Sequence, residues 1–302
     1  MSSVQSPNRV TQSARRPHTR PRERSAAVKD RLQHTTRYIV LIGAAILFLV
    51  PFLWLISTSL KTNDQIVQGS TSWIPRPLTL QNYANAFTSV PLFEYAKNTL
   101  VIAVFSVIGA LFSNTLVAYG FSRLEWRSRE LFFLVTLATL MLPFQITMVP
   151  LFMMFSRLHW TNTFLPLIVP CFFGNAFYIF LLRQFFLGIP RDLSEAAKLE
   201  GASELQILWH IILPLARPAL LAVALFQFLF SWNDFLGPLI YLTDQSKFTL
   251  ALGLANMQSA IGLSDFGAMM AAATVTVAPV IIVFIFTQRY FIAGILASRA
   301  KS

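Results

Sequence analysis

The sequence predicts an all-α integral membrane protein with six transmembrane helices and a cytoplasmic helix-turn-helix between the fourth and fifth. Of its 302 residues, 55% are hydrophobic and 12% are charged, and the mean hydropathy is +0.59. This composition is too apolar for an ordinary soluble domain and is typical of a chain that lies in a bilayer. A second observation is that one polar, Ala-rich stretch around Gly201 interrupts the apolar sequence.

Six stretches approach the roughly 20 apolar residues that a helix needs to cross a bilayer. They are residues 38–60, 99–121, 131–155, 164–182, 219–241 and 266–287. Pro143, Pro170 and Pro279 lie inside these stretches, and membrane helices tolerate proline where neighbouring groups satisfy the freed carbonyls. We therefore expect six spans.

The distribution of basic residues predicts the orientation of the spans, because Lys and Arg are retained on the cytoplasmic side. With the N-terminus inside, 19 of the 24 Lys and Arg residues lie in cytoplasmic segments and five lie in outer ones. Nine of the 19 precede the first apolar stretch. Both termini are therefore predicted to lie in the cytoplasm.

The flanking segments complete the predicted organisation. We expect residues 1–37 to be a basic, disordered and uncleaved cytoplasmic tail, because the first apolar stretch is longer than a signal-peptide core and no A-x-A site follows it. After the first helix at 38–60, residues 61–94 form an outer segment along the membrane surface. The remaining five spans lie in 95–288, with the cytoplasmic loop at 190–217, and 289–302 form a C-terminal tail.

Several classes of function lack their sequence features. The net charge of +11 does not indicate nucleic-acid binding, because so many of the basic residues lie in the tail rather than on one folded face. Cys171 is the single cysteine, and the four histidines have no metal-ligand spacing. There is no nucleophile–base pair at a recognisable spacing and no G-x-x-x-x-G-K-[ST] phosphate loop. We therefore expect no enzyme, no metal and no cofactor in this chain.

The polar stretch has the signals of two short helices. Asp192 or Ser194 can cap the first helix, and Glu195 then lies in its first turn, where the helix dipole favours an acid. Gly201 is expected to end this helix. Ser203, with Gln206 three residues later, predicts a capping box for the second helix.

The order of residues in this stretch resembles the cytoplasmic coupling motif of ABC importer permeases. The matching positions are Glu195, Ala196, Ala197, Gly201, Ile211, Leu213 and Pro214. The resemblance implies the type I importer fold, in which this loop docks into a cleft of a separate ATPase. It implies that Glu195 makes polar contacts with the ATPase and that Ala196 and Ala197 pack in its cleft. Gly201 would set the turn, and the last three positions would connect the loop to the fifth span.

Further stretches are similar to the sugar branch of this family, the second permease of maltose-type importers. They are Asn82-Tyr83 and residues 118–123, 140–143, 232–235 and 238–240. Two positions depart from the family: Glu200 stands where many relatives carry Asp, and residues 297–302 differ from the usual C-terminal end. The latter leaves a tail contact with the ATPase open.

The resemblance also implies the partners of the chain in a cell membrane. They are a second homologous permease, two ATPase subunits that bind ATP and Mg²⁺, an extracytoplasmic solute-binding protein and a sugar or related polyol, but no nucleic acid. Transport would proceed by alternating access. A permease for a polyamine, an amino acid or a phosphonate remains an alternative. An ion-coupled secondary transporter is a further one, although it usually places acids or histidines at mid-membrane.

Polar residues within the spans are candidates for a substrate pathway. Trp232, Asn233 and Asp234 combine an aromatic face, an amide and a carboxylate, which suit a sugar, but Asp234 could instead pair with a helix end. Asn114 and Asn175 are further candidates, although polar groups in membranes more often hydrogen-bond between helices.

A stripe of small residues recurs every four positions in the second span. It consists of Ser106, Ala110, Asn114 and Ala118. Such a stripe lets another helix approach closely, either within this subunit or from the partner permease.

Overall fold

The computed structural model describes residues 21–69, 72–261 and 265–299, and in this part of the chain helices are the only regular structure. They form two units, one ending at Trp54 and one starting at Leu55. The α-helices are α1 (Pro21–Ser59), α2 (Asn63–Val67), α3 (Gln81–Ser89), α4 (Leu92–Ser122), α5 (Arg129–Ala138), α6 (Phe144–Arg157), α7 (Leu165–Ile168), α8 (Ala176–Leu187), α9 (Asp192–Leu199), α10 (Glu204–Ile207), α11 (Leu213–Leu215), α12 (Arg217–Asn233), α13 (Leu236–Tyr241), α14 (Leu250–Ile261) and α15 (Phe266–Arg299). Short 3₁₀ turns lie at Thr139–Met141, Val169–Phe173 and Gln245–Lys247, and a π turn lies at Leu208–Ile212.

Four helical stretches among the described residues are long and apolar enough to cross a membrane. They are Gln33–Ser59, Leu92–Ser122, Leu165–Leu187 and Phe266–Gln288. Two bent helix pairs bring the number to six if each counts as one span: α5 with α6, and the segment Glu204–Leu215 with α12. With both pairs counted, the number of spans agrees with the prediction, but the bends themselves were not predicted.

The first helix is longer than the first predicted span. It begins at Pro21 rather than near Tyr38, so residues 21–37 of the expected disordered tail are helical. Residues 1–20 of that tail lie outside the described residues. From Tyr38 to Leu53 the large apolar side chains of α1 are exposed, as expected for a helix surrounded by lipid. At the other end of the chain, α15 extends to Arg299, through most of the predicted C-terminal tail.

The third predicted span, residues 131–155, is not one straight helix. Its two parts meet at 97° after the turn Thr139–Met141. Leu142 is extended, and Pro143 precedes the first residue of α6. Proline donates no backbone hydrogen bond and disfavours a helical conformation in the residue before it, so the break at this position has a local cause.

The small-residue stripe of α4 faces the interior of the subunit. Ser106, Ala110, Asn114 and Ala118 are all 0–1% exposed. α4 packs here against α8, α12 and the segment that contains α7. The Ser106 hydroxyl donates to the Leu167 carbonyl at 3.2 Å. Of the two roles left open for the stripe, the structure therefore shows internal packing.

The fourth predicted span is also irregular, because the 3₁₀ turn Val169–Phe173 and Gly174 separate α7 from α8. Gly174 has a φ of 92°, a value that favours glycine. Ser113 of α4 donates to the Cys171 carbonyl at 3.0 Å, which satisfies one carbonyl of the irregular segment. Helix breaks within a bilayer are stable where neighbouring helices supply such partners.

Candidate coupling loop and intramembrane polar residues

The first helix of the 190–217 loop, α9, begins without a side-chain cap. Its N-cap residue is Arg191, and Asp192 and Ser194 both lie inside the helix. The predicted capping role of Asp192 or Ser194 is therefore wrong. Asp192 and Glu195 do lie in the first turn, as expected, where they complement the positive end of the helix dipole.

Gly201 ends α9 in the way that the sequence indicated. Its φ is 86°, in the left-handed region that costs glycine little. The Ala202 amide then donates to the Ala197 carbonyl at 2.9 Å, and the Gly201 amide donates to the Lys198 carbonyl at 3.0 Å. These two bonds are the usual termination of a helix by glycine.

The predicted capping box begins the second helix, α10. The Gln206 amide donates to the Ser203 hydroxyl at 3.4 Å, and the Ser203 amide donates to Gln206 Oε1 at 2.8 Å. Ile207, immediately after, is completely buried. The second half of the loop is therefore oriented by its cap and by one buried anchor.

The loop joins the fifth span through a π turn and a bend of 80°. Pro214 lies in this junction and has no amide to donate, which favours an irregular helix. Ile211 and Leu213 are partly buried against the main apolar cluster, and Ile212 between them is fully buried. The structure thus places these residues of the motif where the loop meets the membrane domain.

The exposed surface of the loop combines small, charged and large apolar side chains. Glu195 and Ala196 are exposed, and Ala197 is partly buried. Leu199 is 91% exposed, Trp209 64% and Leu205 62%. We name these three the exposed apolar residues of the loop. Sequence analysis missed them, although Leu205 and Trp209 are four residues apart and therefore lie on one side of a helix.

Glu204 connects three helices. Tyr119, near the C-terminal end of α4, donates to Glu204 Oε2 at 2.6 Å, and Lys198 Nζ of α9 lies 2.6 Å from Glu204 Oε1. Burial raises the pKa of the Glu204 carboxyl, but the bonds from Lys198 and Tyr119 lower it more, so that the pKa lies below its usual value. The carboxylate is therefore charged at neutral pH.

Two arginines connect the C-terminal ends of α4 and α8, one from each helix. Arg123, after α4, donates through Nη2 to the Phe186 carbonyl at 2.5 Å and to the Ile189 carbonyl at 2.7 Å. Arg183 of α8 donates to the Phe121 carbonyl at 3.1 Å and to both oxygens of Glu130 at 2.8 and 2.9 Å. Cations at helix C-termini also complement the negative end of the dipole. The two helices are therefore joined just before the loop begins.

A cleft of about 650 Å³ lies between the end of α4 and the loop. Tyr119, Arg123, Ser194 and Glu195 are among the residues that line it. Within the described part of the chain, Arg123 Nε and Nη1 and the Ser194 hydroxyl are buried without a hydrogen-bond partner. Burial also lowers the pKa of the Arg123 guanidinium. Buried donors without partners each cost about 1–3 kcal/mol.

The three consecutive pathway candidates lie at the end of α12 but have different environments. Trp232 is 4% exposed, and its Nε1 donates to the Thr276 carbonyl of α15 at 3.1 Å. Asn233 is exposed and donates to the Leu229 carbonyl at 2.8 Å. Asp234 is half-buried and accepts from the Gly237 amide at 3.0 Å. In this conformation, Trp232 packs inside the subunit and Asp234 accepts a hydrogen bond from the first turn of α13.

The other two pathway candidates contact each other. Asn114 is completely buried, donates to the Ala110 carbonyl at 2.6 Å and accepts from the Asn175 amide at 2.7 Å. The Asn175 side chain caps α8 by accepting from the Phe177 and Tyr178 amides at 3.0 and 3.4 Å. Both amides thus stabilise the helix break around Gly174. No group of three His, Cys, Asp or Glu side chains that could hold a metal ion occurs among the described residues.

Comparisons with known proteins agree with this architecture. Residues 106–296 match the family model of the binding-protein-dependent transport system inner membrane component. The chain is 35% identical to an arabinooligosaccharides transport system permease protein of Halalkalibacterium halodurans, over 87% of this chain and 96% of the relative. It is also 35% identical to a diacetylchitobiose uptake system permease protein of Streptomyces coelicolor, over 88% of each chain.

A solved structure shows the same fold. The match is to a chain of a bacterial ABC transporter involved in the import of the acidic polysaccharide alginate, with a TM-score of 0.76 and 26% identity. It covers 87% of this chain and 98% of the other. The fold is the type I importer fold, and the chain is a transport subunit rather than an enzyme. It therefore belongs to the binding-protein-dependent transport system inner membrane component family, the membrane-embedded permeases of ABC importers.

Proposed function

We propose that this permease translocates a sugar, most specifically a short oligosaccharide, across the cell membrane by alternating access. The two relatives described above have names that specify arabinooligosaccharides and diacetylchitobiose, and the matched structure belongs to an alginate importer. We further propose that the complex contains a second homologous permease, two ATPase subunits that bind ATP and Mg²⁺, and an extracytoplasmic binding protein. Both termini of this chain lie on the cytoplasmic side.

The single observation that supports an ATPase partner most strongly is the surface of the 190–217 loop. Leu199, Leu205 and Trp209 are mostly exposed, and all three precede the straight apolar helix α12, which provides the membrane-embedded length of the fifth predicted span. Exposed large apolar side chains on a polar segment are typical of a protein–protein interface. In this proposal Glu195 makes a polar contact with the ATPase, and Ala196 and Ala197 permit its close approach.

The remaining motif positions have a supporting role in the proposal. Gly201 makes the turn, and Ile211, Leu213 and Pro214 attach the loop to α12. For the substrate pathway, Asn233 is the best placed of the five candidates because its side chain is exposed beside a helix break. The other four candidates contribute to the pathway mainly by shaping the surrounding backbone, through the bonds described above. They are Trp232, Asp234, Asn114 and Asn175.

The test is co-purification of partners with the tagged chain in mild detergent, followed by identification of the proteins by mass spectrometry. Wild type should retain an ATPase and a second permease. Glu195→Lys reverses a charge on the exposed loop surface and should lower the yield of the ATPase while keeping the second permease. Glu94→Lys is the matched control. Glu94 is also exposed, but it lies in the first turn of α4, at the end of this helix that is away from the loop.

A sugar screen follows on the reconstituted complex with its binding protein. Uptake of an oligosaccharide that requires ATP supports the proposal. If wild type is purified alone and still moves a solute in ATP-free liposomes, the secondary-transporter alternative is correct instead. Uptake of a polyamine, an amino acid or a phosphonate with ATP would contradict the sugar assignment alone.

A further inference from the structure

We propose that Tyr119 and Glu204 are positioning residues that attach the coupling loop to α4. In sequence the loop is joined only to α8 and α12. Because of this attachment, a displacement of the loop by the ATPase also reaches the membrane domain through α4. This inference rests on the proposed function, since it concerns how the docked loop transmits movement.

The contact itself is short and charge-assisted. Tyr119 Oη donates to a carboxylate oxygen of Glu204 at 2.6 Å, and Lys198 binds the other oxygen at the same distance. Hydrogen bonds to ionised groups are about twice as strong as neutral ones. Glu204 therefore couples α4 to both halves of the loop, because Lys198 precedes Gly201 and Glu204 follows it.

Apolar packing reinforces this contact. Tyr119 is 5% exposed, and it belongs to the same buried cluster as Ile207, Leu208 and Ile212 of the loop. Packed interiors have low compressibility and transmit displacement rather than absorb it. A movement of the second half of the loop thus acts directly on the end of α4.

The N-terminal part of α4 is hydrogen-bonded to residues 246–250, which precede and begin α14. Asn98 donates to the Ser246 and Phe248 carbonyls at 2.9 and 3.0 Å. Thr99 Oγ1 accepts from the Leu250 amide at 2.8 Å. Because α4 is one continuous helix of 31 residues, a shift at its cytoplasmic end moves these contacts too.

Some hydrogen-bond donors at the cleft between α4 and the loop have no partner in this conformation. Arg123 Nε and Nη1 and the Ser194 hydroxyl line it or lie against it without a partner among the described residues. A displacement of α9 that admits water to these groups would recover part of their desolvation cost. The bond between Tyr119 and Glu204 would limit how far such a displacement separates the loop from α4.

The experiment uses the complete complex in liposomes, with its binding protein and sugar. The measured quantity is solute transported per ATP hydrolysed, alongside the yield of co-purified ATPase. Tyr119→Phe removes only the hydroxyl and should lower solute per ATP by about 2- to 30-fold, the range of mutational changes in coupling. The ATPase yield should stay at the wild-type level, because Tyr119 does not lie on the exposed surface of the loop.

Tyr178→Phe is the matched control. Tyr178 is a buried tyrosine of the same cluster, and its hydroxyl makes no hydrogen bond in the described structure. This variant should keep wild-type solute per ATP. If Tyr119→Phe also keeps it, the proposal is wrong. If both variants lose it equally, the effect is one of general packing and the proposal is likewise wrong.

A double-mutant cycle excludes a purely structural role. Glu204→Gln keeps the shape of the side chain but weakens the bond from Tyr119, so the double variant should be no worse than the more affected single variant. Additive losses in solute per ATP would overturn the proposal. If the wild type retains no ATPase, the proposed function itself is wrong. If Tyr119→Phe retains the ATPase and keeps wild-type solute per ATP, only the role of Tyr119 and Glu204 is wrong.

Discussion

Gly201 is the residue that makes the turn between α9 and α10 in the 190–217 loop. Its φ of 86° lies in the left-handed region, and a Cβ placed on it would have no heavy atom within 4 Å. The requirement at this position is therefore conformational and not steric. β-Branched residues are strongly disfavoured there, whereas asparagine is tolerated.

This requirement gives a prediction about two substitutions at one position. Gly201→Val should lower the free energy of unfolding by about 1–2 kcal/mol, and Gly201→Asn should cost clearly less. Thermal unfolding of the purified proteins in detergent measures both. Equal melting temperatures for the two variants would contradict a conformational role for Gly201.

Arg123 and Arg183 show how single side chains satisfy backbone carbonyls at the ends of helices. Each reaches across to the last carbonyls of the neighbouring helix, and Arg183 also lies 4.1 Å above the ring of Phe133. Because Arg has five donors in a fixed fork, it can satisfy carbonyls and a carboxylate together. This geometry allows the two arginines to join the C-terminal ends of α4 and α8.

At the scale of elements, α4 organises the membrane domain because its surface is lined by small residues. Gly109 lies against the ring of Phe172, which belongs to the irregular segment between α7 and α8. A Cβ at Gly109 would lie 2.5 Å from Phe172 Cδ2, closer than such atoms approach. The close contact of the two elements therefore depends on the absence of a side chain at this position.

Two glycines of the same helix provide a matched test. Gly109→Ala should destabilise the protein by about 1–3 kcal/mol through overpacking. Gly120→Ala should be neutral or stabilise it by up to about 1 kcal/mol, because nothing lies within 4 Å of its added Cβ and alanine favours helix. Thermal unfolding in detergent distinguishes them. A stable Gly109→Ala variant would show that Phe172 moves freely.

At the scale of the whole molecule, the placement of basic residues predicts which side of the membrane each loop faces. The loop with Leu199 and the segment with Val67 should lie on opposite sides, cytoplasmic and outer respectively. Both side chains are very exposed, at 91% and 81%. Each is therefore suitable for chemical labelling.

The topology prediction is tested with single cysteines in a Cys171→Ser background, since Cys171 is the only native cysteine. A membrane-impermeant maleimide should label Val67→Cys in right-side-out vesicles and Leu199→Cys in inside-out vesicles. The unsubstituted background is the control for non-specific labelling. The reverse pattern would place both termini outside and contradict docking of a cytoplasmic ATPase on this loop.

The sequence by itself determined the features that depend on local chemistry. The number of spans follows from the length of the apolar stretches, and the capping box at Ser203 and the turn at Gly201 follow from the conformational preferences of a few adjacent residues. The same local rules failed for the start of α9, where Arg191, without a side-chain cap, precedes the helix.

Only the tertiary structure decided which polar residues stabilise the fold and which remain exposed. The bond between Tyr119 and Glu204 joins residues 85 positions apart, and that between Arg123 and the Phe186 carbonyl joins residues 63 apart. Such partners cannot be identified from neighbouring residues, because they depend on how the helices pack. For the same reason, the burial of Asn114 and Trp232 and the exposure of Leu199 and Trp209 became evident only in the folded chain.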